Sequence, residues 1–143
     1  MIIASESAML LFGEQFANTL VIGDWVAIDG PLGAGKTVLC KGILRGLGFE
    51  GEVASPSYAI VHLYDPPEVS IAVAHADLYR LNHVEELDEL GLAEERDERL
   101  TLVEWPGRGG SGYTQPSHLI VIEPRPDGSR ILTLKTDTHD TGN

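Results

Sequence analysis

The feature that most restricts the fold of this chain is the eight-residue segment from Gly30 to Thr37, which reads GPLGAGKT. It matches the pattern G-x-x-x-x-G-K-[S/T] without a gap, a match that chance would produce about 0.004 times in a chain of this composition. The short apolar run Asp24 to Asp29 precedes the segment, and apolar residues at helical spacing follow it as far as Gly46 and Gly48. The pattern therefore predicts a strand, a glycine-rich turn and a helix in direct succession.

This arrangement suits the binding of a nucleoside triphosphate. Glycines let backbone N–H groups converge on a phosphate without obstruction by a Cβ atom, and the N-terminus of the following helix adds partial positive charge. Lys36 would reach the β- and γ-phosphates, and the Thr37 hydroxyl would bind Mg²⁺. The chain carries a formal net charge of −12, so a polyanionic nucleotide would be repelled without these local donors and a bound metal ion.

A phosphate loop of this type needs an acidic residue near the metal, usually at the carboxyl end of an apolar strand. Two residues meet that description. Asp77 ends the run that begins at Val69, and Glu104 ends the run that begins at Leu100. Carboxyl ends of parallel strands meet at one edge of a sheet, which is where ligands bind in α/β proteins. Their spacing alone does not rank the two acids.

Other polar and aromatic residues near these motifs have a structural interpretation. No second His or Cys stands at metal-binding spacing from His75, which favours a structural role for it, and Cys40 is expected to be a small core residue. Trp105 is either a core residue or a nucleotide or partner contact. The acidic run from Glu85 to Glu98 is typical of a solvated helix face, with a docking surface as the alternative.

Charge and cysteine content exclude several classes of protein. Ten Lys or Arg against 22 Asp or Glu leave no basic footprint for nucleic acid or for an anionic membrane surface. The single cysteine makes a reducing compartment the simpler expectation, and the first residues lack the basic region of a secretory signal. No apolar run is long enough to span a membrane. We therefore expect a cytoplasmic protein.

Strand and helix patterns alternate along the chain, which predicts an α/β layered sheet in one domain over residues 1–135, followed by a polar tail over 136–143. Helices are expected at Ser5 to Leu20, after the phosphate loop, and at Val84 to Leu92. Strands are expected at Asp24 to Asp29, Tyr58 to Tyr64, Val69 to Asp77 and Leu100 to Trp105, followed by a hairpin, Leu119 to Ile122 and Ile131 to Leu134, that turns at Asp127-Gly128. Residues 106–117 are expected to form a loop.

Three segments accompany the phosphate loop in an order that resembles one family. They are SPSY at Ser55 to Tyr58, HADLYR at His75 to Arg80, and EWP at Glu104 to Pro106. In this order and spacing the chain is similar to the TsaE family, formerly YjeE, the bacterial ATPases of the tRNA threonylcarbamoyladenosine pathway. The resemblance extends from about Ser5 to Leu134, and the last two segments are much more specific than the phosphate loop.

The resemblance implies a compact three-layer P-loop fold with a mixed sheet. It also implies weak, Mg²⁺-dependent hydrolysis of ATP to ADP. The implied partners are TsaB and TsaD, and TsaD transfers threonylcarbamoyl to an adenosine next to the tRNA anticodon. Because of the net charge of −12, contact with tRNA would come only through these partners.

Carried over residue by residue, the resemblance assigns catalytic roles to Lys36, Asp77 and Glu104, and metal binding to Thr37 and Glu104. Asp77 would orient water. The nucleotide-binding residues implied are Leu32, Gly33, Ala34, Gly35, Lys36, Thr37, Val38 and Trp105. Ser55 to Tyr58 would form a switch-like loop near the γ-phosphate.

The chain departs from the family pattern at three places. Val38 replaces a second threonine after the phosphate loop, so a side-chain hydroxyl contact is lost while the backbone N–H remains. Ser57-Tyr58 replaces a more usual Thr-Phe or Thr-Tyr. Met9 stands where the first helix often carries a threonine, which puts a nucleotide contact from that helix in doubt.

Three other functions fit a phosphate loop. A small-molecule kinase would need an acceptor pocket and usually a cationic lid, but the chain has no arginine cluster. A GTPase would need an N-K-x-D guanine motif, and the sequence has none. A non-hydrolytic scaffold would use bound nucleotide only to shape a docking face.

Overall fold

The computed structural model describes residues 1–53, 61–79, 81, 89–106 and 115–136. Seven strands in this part form one sheet in the order β1-β7-β6-β2-β5-β4-β3. They are β1 (Ile2–Ile3), β2 (Trp25–Asp29), β3 (Val61–Tyr64), β4 (Val73–Asp77), β5 (Leu100–Glu104), β6 (His118–Pro124) and β7 (Arg130–Thr136). The described helices are α1 (Glu6–Ala17), α2 (Lys36–Gly46) and a short 3₁₀ helix, Arg96–Glu98.

The centre of the sheet is parallel, and this orientation sets the position of the site. Strands β6, β2, β5 and β4 run in one direction, whereas β1, β3 and β7 pair antiparallel with their neighbours. Glu104 lies opposite Asp77 on one side and opposite Ile28 on the other. The carboxyl ends of β4 and β5 therefore meet at the same edge where β2 leads into the phosphate loop.

Helix α2, which follows the phosphate loop, is fixed by close packing against α1. The Ser5 Oγ accepts a hydrogen bond from the Ala8 N–H, 3.1 Å, and so caps the start of α1. A Cβ atom on Gly42 would lie 2.5 Å from the Leu10 carbonyl oxygen, too close for any side chain. Glycine at this crossing lets the two helix backbones approach, which leaves little freedom for the start of α2 to move.

Both faces of the sheet are covered, so the fold has three layers. Helices α1 and α2 cover one face over a core that includes Ile28, Leu102 and Ile120, none of which is exposed. On the other face, buried residues of the segment after β4, Leu78, Leu81 and Leu92, pack against Trp25, Ala74, Ala76 and Val103 of the sheet. The expected α/β fold with a mixed sheet is thus confirmed. The described part contains no helix long and apolar enough to cross a membrane.

Most predicted elements are present, with differences at their ends. The first helix, the strands before and after the phosphate loop, and the hairpin around Asp127-Gly128 are confirmed. The strand expected from Val69 begins only at Val73, because residues 65–72 form turns and Ser70 N–H donates to the Leu47 carbonyl oxygen. Strand β1 was not predicted.

Several predicted features fall partly or wholly outside the described residues. They are residues 54–60, with the first part of the strand expected from Tyr58 and the switch-like loop; Arg80; residues 82–88, with most of the third expected helix; residues 107–114 of the long loop; and residues 137–143 of the polar tail. Strand β7 ends at Thr136, next to the expected end of the domain.

Candidate functional site

The phosphate loop leaves β2 and enters α2 through two glycines with left-handed backbone. Gly33 has φ of 82° and Gly35 has φ of 108°, a region that residues with a Cβ atom rarely adopt. Gly35 is also the N-cap of α2 and provides no side-chain cap. Side chains therefore leave the first turn of α2 open, as expected where backbone N–H groups are to receive an anion.

A cavity of about 500 Å³ opens beside this loop, within the size range of small-molecule sites. The residues that line it are Glu6, Leu32, Gly33, Gly35, Lys36, Thr37, Val38, Asp77, Tyr79, Glu104, Trp105 and Arg130. Nine of the ten predicted site residues are among them. Ala34 is the exception: it is fully buried, and its N–H already donates to the Pro31 carbonyl oxygen, 3.1 Å.

The Lys36 side chain is buried in the wall of this cavity and points back into the loop. Its Nζ donates to the carbonyl oxygens of Gly30, at 2.6 Å, and Pro31, at 2.8 Å. The same atom lies 3.9 Å from the centre of the Trp105 ring, a cation–π contact. Burial lowers the pKa of Lys36, and the negative charges of Glu104, Asp29 and Asp77 oppose that shift.

Of the two candidate acids, Glu104 is the one in contact with the phosphate-loop helix. The Thr37 hydroxyl donates to its carboxylate, with distances of 3.0 Å to Oε1 and 3.2 Å to Oε2. Glu104 is 1% exposed, so this carboxylate is held inside the protein. The packing of β5 against α2 thus brings Glu104, and not Asp77, into hydrogen-bond contact with Thr37.

Asp77 lies beside Glu104 but in a different environment. It lines the cavity, is only partly buried, and its Oδ1 accepts a hydrogen bond from the Tyr79 N–H, 2.9 Å. Burial raises the pKa of Asp77 above its ordinary value, and the neighbouring Glu104 charge adds to this, whereas the Tyr79 N–H and the charges of His75 and Lys36 act in the opposite direction.

The oxygen atoms at the ends of Thr37 and Glu104 fit a magnesium ion. Mg²⁺ prefers six oxygen ligands in an octahedron with bonds of about 2.1 Å, so two adjacent ligand oxygens lie about 3.0 Å apart. Thr37 Oγ1 and Glu104 Oε1 lie 3.0 Å apart as hydrogen-bond partners, and the same separation would suit two adjacent ligands of such an ion. Phosphate oxygens and water would complete the coordination of such an ion.

Two residues for which the sequence predicts a structural role lie next to Glu104. His75 is fully buried, and its Nε2 lies 2.7 Å from Glu104 Oε2. Cys40 is also fully buried, and its sulfur lies within 4.8 Å of a Glu104 carboxylate oxygen. Burial, followed by the nearby Glu104 charge, raises the pKa of the Cys40 thiol well above its ordinary value. The prediction that Cys40 is a core residue is confirmed, and His75 is buried as well. Both nevertheless lie beside the site, because Cys40 follows Thr37 by one helical turn and His75 lies two residues before Asp77 on the same face of β4.

Arg130, on β7, is a second residue that the sequence analysis did not single out. Its Nε donates to the Ala34 carbonyl oxygen, 2.7 Å, and its Nη2 lies 3.4 Å from the Gly33 carbonyl oxygen. Since the N–H and C=O of a trans peptide point in opposite directions, these contacts orient the Ala34–Gly35 amide away from Arg130. No local sequence signal indicated this contact, because 96 residues separate Arg130 from Ala34.

Trp105 forms the remaining aromatic wall of the cavity. Its backbone has φ of 59°, unusual for a bulky residue, and its N–H donates to the Ile28 carbonyl oxygen, 3.2 Å. The Tyr79 ring packs against the Trp105 ring, with 4.8 Å between the ring centres. Of the alternatives considered for Trp105, the structure places it at the cavity, between Lys36 and Tyr79.

Comparisons with known proteins show the family of this chain. A family model described as "Threonylcarbamoyl adenosine biosynthesis protein TsaE" matches residues 3–132. The tRNA threonylcarbamoyladenosine biosynthesis protein TsaE of Haemophilus influenzae is 35% identical over 96% of this chain and 89% of its own length. Its namesake from Rickettsia typhi is 36% identical over 93% of this chain and 92% of its own length.

The fold has a solved counterpart as well. The crystal structure of Bacillus subtilis YdiB is similar to this chain with a TM-score of 0.74 and 26% identity, covering 95% of this chain and 83% of that protein. The family match spans nearly the whole sheet and both helices. This chain belongs to the TsaE family of tRNA threonylcarbamoyladenosine biosynthesis proteins.

Proposed function

We propose that this chain is a Mg²⁺-dependent ATPase whose nucleotide state regulates or resets a TsaB–TsaD transferase complex. The observation that carries the catalytic part is the pair of oxygens on Thr37 and Glu104, 3.0 Å apart, beside an open phosphate loop. Magnesium spacing next to the first turn of α2 supports binding of a nucleotide–metal complex. Membership of the family supports the pathway in which that nucleotide is used.

Lys36 would act on the phosphates with little rearrangement. Its Nζ is held by the Gly30 and Pro31 carbonyl oxygens on the inner side of the loop, and a phosphate oxygen would replace one of these acceptors. Because the side chain is buried, a charged hydrogen bond made there is screened less than one at the surface. Bound Mg²⁺ would supply neutralisation of the charge that develops on the phosphates.

Asp77 would orient the attacking water. Its carboxylate lines the cavity, and among the described residues its Oδ1 accepts from the Tyr79 N–H, so Oδ2 can accept a hydrogen bond from water. Glu104, enclosed by its hydrogen-bond donors, has no such freedom. We therefore assign metal binding to Glu104 and water positioning to Asp77, with positioning and charge neutralisation as the main sources of rate enhancement.

The charge of the chain supports an indirect relationship with tRNA. With a net charge of −12, free protein is expected to bind tRNA negligibly at physiological salt, so contact with the RNA would be made by TsaB and TsaD in the cytoplasm. A tight, salt-sensitive complex between this chain alone and tRNA would contradict that division of labour.

The experiment that tests the ATPase is phosphate release by the Glu104→Gln variant. This change keeps the shape of the side chain and removes its charge, so Mg²⁺-dependent release should fall about 100-fold, since a metal ion supplies several kcal/mol of stabilisation to the transition state. Glu98→Gln is the matched control, because Glu98 is exposed near the start of β5, away from the cavity. Unchanged release by Glu104→Gln would remove the support for the metal assignment.

Adding TsaB and TsaD tests the regulatory part of the proposal. We expect slow hydrolysis by the chain alone and faster hydrolysis with the partners present. No phosphate release even in the full complex would favour a nucleotide-dependent scaffold, and a phosphorylated small-molecule product would favour a kinase.

A further inference from the structure

The Glu104 carboxylate is surrounded by donors from two different elements. The Thr37 hydroxyl reaches it from α2, and His75 Nε2 reaches it from β4. Glu104 and His75 are both almost completely buried, at 1% and 0% exposed. A buried carboxylate is stable only where hydrogen bonds replace its water, so each donor also fixes the direction in which the oxygens point.

The donors divide the two carboxylate oxygens between two tasks. His75 Nε2 contacts Oε2 at 2.7 Å, whereas the shorter distance from Thr37 Oγ1 is to Oε1, 3.0 Å. The His75 contact is the shortest of these and is entirely buried, as expected for a hydrogen bond to a charged acceptor. It anchors Oε2, which Thr37 Oγ1 also approaches to 3.2 Å, whereas Oε1 has Thr37 and not His75 as its partner.

The same cluster is a poor site for a soft metal ion. Potential ligand atoms of Cys40, His75 and Glu104 lie within 4.8 Å of one another. Tetrahedral Zn²⁺ with bonds of about 2.0–2.1 Å would hold His and Glu ligand atoms about 3.3 Å apart, whereas here they are 2.7 Å apart. Burial of the Cys40 thiol also opposes the thiolate that a zinc ion requires. The contact is a hydrogen bond.

His75 makes this contact with one tautomer. Within the described part of the chain, Nδ1 has no hydrogen-bond partner, so a proton placed there would be buried and unpaired. Because a carboxylate only accepts hydrogen bonds, the contact requires a hydrogen on Nε2, which donates to Glu104 Oε2.

We propose that His75 is a positioning residue that holds Glu104 Oε2 through its Nε2–H and so directs Oε1, together with Thr37, toward the nucleotide-bound magnesium ion. The inference rests on the proposed function, since it takes Glu104 as a metal-binding residue. Hydrogen bonds to groups that bind a metal typically change metal affinity or activity 10- to 100-fold when removed.

The test compares His75→Gln with His75→Asn in the full-length chain. The Gln amide nitrogen occupies about the position of Nε2 and reaches Glu104, while the Asn amide is shorter and does not. The readout is the ratio of the ADP dissociation constants in EDTA and in Mg²⁺, which measures metal coupling without turnover. His75→Asn should lower this ratio about tenfold while the dissociation constant in EDTA stays within about twofold, and His75→Gln should retain most of the wild-type ratio.

The outcomes separate the inference from the function on which it rests. A wild-type ratio of one overturns the metal role of Glu104 and the inference with it. A large wild-type ratio that both variants preserve, or that both lose equally, overturns the role of His75 alone. If His75→Asn does not fold, nitrogen NMR of the metal-free wild-type protein decides: a His75 ring that carries a hydrogen on Nε2 supports the proposal, and a ring that carries none on Nε2 refutes it.

Discussion

The two walls of the cavity are built in different ways. The loop wall is one continuous segment, from Leu32 to Val38, whose exposed tip includes Leu32 at 76% exposure. The strand-end wall is assembled from β4 and β5, which contribute Asp77 and Glu104. Its central carboxylate is buried and surrounded by side-chain donors. The loop wall presents amides and cations, and the strand-end wall presents anions.

This difference separates two tasks that a nucleotide site must perform. Groups on the loop wall face the position of the phosphates, so their loss should weaken nucleotide binding whether or not metal is present. Groups on the strand-end wall face the metal and the water, so their loss should change metal coupling or turnover and leave metal-free binding intact. Measurements in EDTA and in Mg²⁺ distinguish the two walls.

The largest expected effect is on the loop wall, with Lys36→Met. The change removes a buried cation that hydrogen-bonds inside the loop, and a charged hydrogen bond contributes about 1.5–3 kcal/mol. We therefore expect ADP affinity to fall up to about 100-fold, equally in EDTA and in Mg²⁺, as measured by calorimetry. Lys41→Met, on the same helix but outside the cavity lining, is the matched control and should change affinity less than about twofold. A loss of ADP affinity that is seen only in Mg²⁺ would contradict the assignment of Lys36 to metal-independent phosphate binding by the loop wall.

The next effect is on the strand-end wall, with Asp77→Asn. Water positioned by a carboxylate is lost, so phosphate release should fall by about 10- to 100-fold while ADP affinity in EDTA is unchanged. Weaker ADP binding by this variant would move Asp77 to the nucleotide-holding groups. Asn has the same shape as Asp and keeps an oxygen that can accept the Tyr79 N–H hydrogen bond, so we expect the variant to fold and the loss of phosphate release to reflect the missing charge.

The same variant should be more stable than the wild type at neutral pH. Burial raises the pKa of Asp77 in the folded protein, so between the unfolded and folded pKa values the native state binds more protons. Stability from this group is therefore greatest at low pH and is lost as the pH rises through the folded pKa. Urea denaturation should show Asp77→Asn gaining stability over wild type at pH 7 and losing that gain at acidic pH. An equal difference at both pH values would contradict the shift.

The sequence predicts the loop wall better than the strand-end wall, for a physical reason. A phosphate loop is local, so Lys36 and Thr37 are recognisable from eight consecutive residues. The sequence predicts Asp77 and Glu104 as strand ends. Which of the two carboxylates contacts α2 depends on how the strands pack against that helix, and local spacing does not encode this packing. His75 contacts Glu104 across 29 residues of sequence, and no local spacing encodes that contact.

The same reasoning explains what was missed in the fold. Periodicity predicted α1 and the central strands because each is long enough to show a pattern. Strand β1 has only two residues, and it exists because Ile2 and Ile3 pair with β7 at the far end of the chain. The strand predicted from Val69 is longer than the observed β4. Val69 is apolar and buried, which resembles a strand residue in the sequence, but it lies in a turn.

The smallest expected effect concerns Arg130, which supports the loop wall from β7. Its guanidinium contacts three carbonyl oxygens, those of Gly33, Ala34 and Gly128. Arg130→Lys keeps the charge but has a single nitrogen, so it gives up the forked geometry that reaches all three. Losing one such bond, at about 1 kcal/mol, should lower ADP affinity about fivefold, and to the same extent in EDTA and in Mg²⁺. If Arg130→Lys binds ADP like the wild type while Arg130→Gln does not, charge and not loop geometry is what this residue contributes. A loss of ADP affinity that appears only in Mg²⁺ would instead assign Arg130 to the strand-end wall.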